Sequence, residues 1–173
     1  MNITLIGMAG AGKSAIGRKL AARLGYQFTD PDEIIEKKMD LKLQEIIDRF
    51  GEDRFLEIEE RTIVDLGPMD NAVISPGGSV VYSDKAMSFL KENSAVIFLD
   101  APFESIERHI PDQSRRGIIG LKQKDLRTLF RERRSLYQKY ADITIELAED
   151  PDMNAVLEEI IRKVFQAVNR TYL

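Results

Sequence analysis

An α/β fold with a mainly parallel sheet covered by helices on both faces is what this chain predicts, and three observations carry that expectation. Short runs rich in β-branched and aromatic residues recur at 2–6, 26–29, 72–75, 95–99 and 143–147, as buried strands do. Helical periodicity fills the intervals between them. A glycine-rich turn, Gly7-Met8-Ala9-Gly10-Ala11-Gly12-Lys13-Ser14, joins the first run to the first helical pattern. Strands alternating with helices build βαβ units, and ligands then bind beyond the carboxyl ends of the strands.

Each element has its own signal. The first strand, 2–6, enters the glycine turn at once, and residues 15–24 follow as an amphipathic helix. The second strand, 26–29, ends at Asp30-Pro31-Asp32, with a helix starting at Glu33. Residues 40–67 look helical and form a long insertion before the third strand. Their apolar stripe is Phe55, Ile58, Thr62, Ile63 and Leu66. The third strand, 72–75, runs into Pro76-Gly77-Gly78-Ser79, and the fourth is 95–99. Residues 109–123 hold two glycines and a proline without a clean period, which reads as a mobile segment. After the fifth strand, Val156, Leu157, Ile160, Ile161, Val164, Phe165 and Val168 share one face of the last helix.

Composition bounds the function. At 173 residues the chain reads as one domain, 1–173, with 43% hydrophobic and 31% charged residues. A net charge of −4 gives no electrostatic footprint for nucleic acid. The absence of cysteine excludes disulfides, thiolate metal sites and a cysteine nucleophile. The longest apolar run, 95–99, is far too short to span a bilayer, and the immediate entry into the first strand reads as a chain without a signal peptide. A cytoplasmic small-molecule enzyme fits these bounds.

The glycine turn fits G-x-x-x-x-G-K-[ST], a phosphate-binding loop in the strand–helix context that gives the pattern meaning. Backbone N–H groups of Gly10, Ala11, Gly12, Lys13, Ser14 and Ala15 would cradle phosphate at a helix N-terminus. Lys13 can reach the β- and γ-phosphates, and Ser14 can offer its hydroxyl to Mg²⁺. Asp30 and Asp32 stand at a strand end. One could hold Mg²⁺ through water and the other orient an acceptor hydroxyl; either could instead cap the following helix. Gly77 and Gly78 permit close backbone approach to a ligand, or simply make a turn. Seven arginines follow: Arg108, Arg115, Arg116, Arg127, Arg131, Arg133 and Arg134. Two or three could touch phosphate or carboxylate, the rest pairing with acids such as Glu132 and Asp125. His109, the sole histidine, has no metal or triad pattern and reads as a surface or hinge residue.

Taken together these residues resemble the shikimate kinase family of phosphate-loop kinases. The shared motifs are Gly7 to Ser14 with Gly17-Arg18-x-Leu20-Ala21, Phe28-x-Asp30-x-Asp32-x-x-Ile35-Glu36, Gly51-Glu52-x-x-Phe55-x-x-x-Glu59, Val73-Ile74-x-x-Gly77-Gly78, Arg116, and Arg133-x-x-Leu136-Tyr137-x-x-x-Ala141-Asp142. The resemblance implies a three-layer α/β/α kinase with a five-stranded parallel sheet of order 2-3-1-4-5. A substrate-binding insertion would lie at about 32–67 and a short lid at about 109–123. It implies ATP and Mg²⁺, a monomer, and a hydroxy-acid acceptor such as shikimate. Lys13, Asp32 and Arg116 would be catalytic, with Ser14 and Asp30 at the metal. Asp32, Phe55, Gly77, Gly78, Arg116 and Arg133 would bind substrate, and Glu59 would brace the pocket.

The departures fall on the acceptor side. Leu56 replaces the arginine that the family sets after the Phe of its Gly-Glu motif; losing such a partner for a desolvated carboxylate costs about 2–5 kcal/mol. Ser79 replaces the third glycine, Gly117 follows Arg116 where proline is usual, Ser135 precedes Leu136-Tyr137, and Lys139 replaces a glutamate. Lys139 or Arg54 could restore the missing charge. A kinase for another hydroxy acid or polyol, and a nucleotide-binding module without transfer activity, are the alternatives. A GTPase lacks its Asn-Lys-x-Asp segment here.

Overall fold

Five parallel strands form one sheet in the order β2-β3-β1-β4-β5. The computed structural model describes residues 1–110 and 117–171, with side chains as far as 167. The strands are β1 (Asn2–Ile6), β2 (Gln27–Thr29), β3 (Ala72–Ile74), β4 (Ser94–Asp100) and β5 (Ile143–Glu146). The α/β reading and the strand order both hold. β1 lies at the centre, with Ile3 opposite Val73 on one side and Ala95 on the other. All five of its residues are buried, so its continuous apolar run is that of a strand covered on both faces. The second strand starts one residue later than its composition suggests. Tyr26 instead donates its N–H to the Ala21 carbonyl, closing the first helix over the left-handed Gly25.

The helices are α1 (Lys13–Leu24), α2 (Pro31–Met39), α3 (Leu43–Phe50), α4 (Glu52–Val64), α5 (Asp84–Asn93), α6 (Phe103–His109), α7 (Leu126–Tyr140) and α8 (Met153–Thr171), with a 3₁₀ turn over Gly78–Tyr82. α1 packs on β1 and β3 and meets α8, which lies on β5; α5 and α7 pack on β4. The insertion thus becomes the helices α2, α3 and α4. α2 begins at Pro31, two residues before the expected start, because Asp30 and not Asp32 is its cap. Asp30 Oδ1 accepts from the Asp32 N–H at 3.0 Å, and proline suits the first helical position.

Two apolar clusters hold the layers together. The larger joins the sheet to its helices through residues such as Leu5, Ile97, Leu20, Met87 and Ile160. The smaller gathers Ile35, Ile46, Ile47 and Phe55 of the insertion around Ile119 of the expected lid. On α8, Val156, Leu157, Ile160 and Val164 are buried and Ile161 half-buried, but Phe165 is 48% exposed. Successive residues turn about 100° around a helix, which carries Phe165 off the stripe that Val164 closes. The side chain of Val168, the last residue read into that stripe, lies outside those described. Among the described residues no helix is long and apolar enough to cross a membrane.

Candidate active site

The carboxyl ends of β1, β2 and β3 converge on one corner, where Asp32, Phe55, Gly77, Gly78 and Arg133 line one cavity and Ser14 meets Asp30. The loop after β1 turns through Gly12 in the left-handed region (φ 84°), which serves as the N-cap of α1. It offers no side-chain cap, and the first turn of α1 has no acidic residue. The free N–H groups and the dipole of that helix end are therefore left for an anion. Ser14 and Ala15 are exposed at this end, Gly10 is half-buried, and Ala11 is buried. The Lys13 ammonium is folded inward, donating to the carbonyls of Gly7 (2.9 Å) and Met8 (3.0 Å). Burial lowers it to about 8, with Asp32 opposing the shift.

Asp30 caps α2 and also faces the phosphate loop. One carboxylate oxygen caps α2, and the other accepts from the Ser14 hydroxyl at 3.2 Å. A hydroxyl and a carboxylate oxygen side by side at the mouth of a phosphate loop suit Mg²⁺, which takes few protein ligands and keeps its waters. No cluster of three or more acidic, histidine or cysteine side chains competes for a metal among the described residues. Asp32 points inward from the first turn of α2. The residue is half-buried, but its Oδ1 is enclosed and has no hydrogen-bond partner. Burial and then the neighbouring Asp30 push its carboxyl up to about 7, against the pull of Lys13.

Beyond Asp32 lies a cavity of about 50 Å³, lined by Phe55, Gly77, Gly78 and Arg133 among others, with Ile118 and Ile119 closing one side. The glycines are needed for close approach. A Cβ on Gly77 would stand 2.8 Å from Glu59 Oε1 and 3.0 Å from Asp32 Oδ1. One on Gly78 would stand 2.9 Å from Arg133 Nη1. The Gly78 carbonyl accepts from the buried Tyr137 hydroxyl at 2.7 Å, which fixes the turn. Arg133 is 1% exposed, donating to the Ile119 carbonyl (2.7 Å) and toward the Tyr82 hydroxyl (3.4 Å). Glu59, one turn beyond Phe55 on α4, accepts from the Ser79 hydroxyl at 2.7 Å.

Three of the other arginines are engaged elsewhere, and Arg131 is exposed on α7. Arg108 pairs with Glu149 and Asp150, Arg127 lies over the Phe103 ring, and Arg134 forks onto Asp100. The acids expected to pair with helix arginines do other work: Glu132 binds Lys124 and Tyr82, and Asp125 caps α7. Arg115 and Arg116 lie outside the described residues. His109 ends α6 on the surface. Neither substitute for the missing arginine reaches the cavity: Lys139 turns to Asp84 and the Tyr140 ring, and Arg54 to Glu57. Leu56 packs into the smaller apolar cluster. The roles of Tyr137, Ile119 and Tyr82 were missed, since no motif spacing announces a contact across so many residues.

A family model described as shikimate kinase matches residues 9–169. The shikimate kinase of Persephonella marina is 34% identical over 163 residues, spanning 94% of this chain and 98% of that one. That of Moorella thermoacetica is 36% identical over 160 residues, spanning 92% and 91%. Among solved structures, the shikimate kinase from Acinetobacter baumannii in complex with shikimate is similar at a TM-score of 0.86 and 29% identity, over 96% of this chain and 93% of that one.

Proposed function

This chain belongs to the shikimate kinase family of phosphotransferases that act on a hydroxyl acceptor, and on that footing we propose that it transfers the γ-phosphoryl group of ATP to the 3-hydroxyl of shikimate. The observation that carries the reading is that Asp32 and Arg133 line one cavity beside the phosphate loop. A carboxylate faces where a hydroxyl must be oriented, and a guanidinium faces where an acid must be gripped.

Phosphoryl transfer is mostly positioning and charge neutralisation. Asp32, held ready to take a proton near neutral pH, orients the acceptor hydroxyl and accepts its proton as the new P–O bond forms and the bond from the γ-phosphorus to the bridging oxygen breaks, releasing ADP. Lys13 exchanges its contacts with the Gly7 and Met8 carbonyls for phosphate oxygens. The N–H groups at the start of α1 hold the remaining phosphate charge. Ser14 and Asp30 would hold Mg²⁺, which neutralises the charge of the nucleotide phosphates when bound. Arg133 anchors the acceptor carboxylate, and Gly77 and Gly78 let the acceptor lie against the backbone. Arg116 is assigned to the transferring phosphate by motif alone. The reading includes a monomeric cytoplasmic enzyme.

A second reading changes only the acceptor. Leu56 leaves Arg133 as the cavity's sole lining arginine among the described residues, which suits another hydroxy acid as well. Turnover of ATP·Mg²⁺ against shikimate and a panel of hydroxy acids and polyols separates the two. Rate enhancement by shikimate supports the first, and enhancement by a different alcohol alone supports the second. Tight ATP binding without acceleration by any acceptor would point to a binding module.

A further inference from the structure

Glu59 is a buried carboxyl group without an ion-pair partner among the described residues. It is 2% exposed, and its one hydrogen bond there is to the Ser79 hydroxyl, at 2.7 Å. Its other oxygen, Oε1, has no partner and lies against Gly77, where Asp32 Oδ1, equally unpartnered, converges on the same point. The residue one turn earlier on α4, Leu56, turns into apolar packing. A hydroxyl serves a carboxylic acid and a carboxylate alike, whereas an ionised carboxylate with a single neutral hydrogen bond is costly in such a place. A proton on Glu59 would remove one of two negative charges that converge on Gly77.

The charges around the group bear on substrate choice. Facing Glu59 are Asp32 from α2, Lys13 from α1, Arg133 from α7 and Ser79 from the 3₁₀ turn. Nearby on α4, Glu60 turns away to Lys85 and Ser83. With all four ionisable groups charged the corner is neutral, and an incoming carboxylate gains little from it. With Glu59 neutral, Asp32 balances Lys13 and the charge of Arg133 stands alone. We propose that Ser79 and Glu59 form a specificity-determining pair: burial keeps Glu59 a neutral acid behind the Gly77–Gly78 turn, the Ser79 hydroxyl fixes its position, and the Arg133 charge is left for the acceptor's carboxylate. Burial, reinforced by Asp32, pushes Glu59 up to about 8 against Ser79, Arg133 and Lys13, in agreement with this arrangement. The role in specificity rests on the hydroxy-acid reading; the protonation state does not.

The test follows the carboxyl carbons of the full-length protein, labelled with ¹³C at glutamate, by NMR against pH. The resonance that disappears in Glu59→Gln is expected to titrate above pH 6.5; a midpoint at or below 6.5 overturns the proposal. Should Glu59→Gln fail to fold, Ser79→Ala identifies the same resonance, because losing the hydroxyl moves its midpoint upward. In the kinase assay, KM for shikimate is expected to rise about tenfold between pH 7 and pH 9 in the parent and to lose that rise in Glu59→Gln. An equal rise in both removes the specificity role. A parent inert toward shikimate defeats the acceptor assignment, while the NMR midpoint still decides the state of Glu59.

Discussion

At the residue scale, the chemistry depends on a few side chains whose partners are far away in sequence. Lys13 is held by two loop carbonyls in a buried position. Lys13→Ala should lower the rate of transfer by about 10²–10³-fold, the usual cost of removing a preorganised group that stabilises charge in the transition state. The melting temperature should stay within a few degrees, because a desolvated cation contributes little net stability. Steady-state kinetics with a thermal melt checks both, and near-full turnover would refute the phosphate-loop assignment. Leu56→Arg should lower KM for shikimate at least tenfold if a second cation can reach the carboxylate, while losing about 1–2 kcal/mol of apolar packing. An unchanged or higher KM favours a different acceptor. The sequence revealed Leu56 and Ser79 as substitutions in an acceptor pocket. It could not reveal that Ser79 bonds Glu59, twenty residues earlier, since that contact depends on how α4 packs against the turn after β3.

At the element scale, Asp30 ties the start of α2 to the phosphate loop. Asp30→Ala should remove a cap worth about 1 kcal/mol and lower the melting temperature by about 2–4 °C in a chain of this size. Asp30→Asn keeps an oxygen for capping, so it should melt near the parent yet need more Mg²⁺ for half-maximal activity. Equal Mg²⁺ requirements in Asp30→Asn and the parent would argue against the metal role. The cap also shows where the sequence was under-read. Asp-Pro is an N-cap followed by a proline at the first helical position, which fixes the start of α2 at Pro31. The docking of residues 117–120 on α3 and α4 was not legible. Gly117 N–H donates to Gln44, Gly120 N–H donates to Glu52, and Ile119 enters the smaller apolar cluster. A segment without periodicity gives no sign of which face it meets.

For the molecule as a whole, the alternation of strands and helices and the position of the glycine turn were enough to predict the parallel sheet, since each βαβ unit has one handed way to close. What they could not give was the electrostatic state of the corner where three strands end. Asp32 and Glu59 stand at about 7 and about 8, above their ordinary 3.8 and 4.5. Below about pH 4 the folded and unfolded chains both hold these protons. As pH rises toward 8 the unfolded chain releases them first, and stability falls. Lys13, lowered to about 8 from 10.5, acts in the opposite sense, its burden easing only above pH 8. The parent should therefore lose more melting temperature than Glu59→Gln between pH 5 and pH 8, by about 5 °C or more; parallel curves would contradict the burial argument. The central claim is the transfer itself, and ³¹P NMR of ATP·Mg²⁺ with shikimate and the enzyme tests it most directly. A phosphomonoester on the shikimate 3-hydroxyl should appear with the parent and be nearly absent with Lys13→Ala. ATP consumption that shikimate does not accelerate, with no such product, would contradict the account.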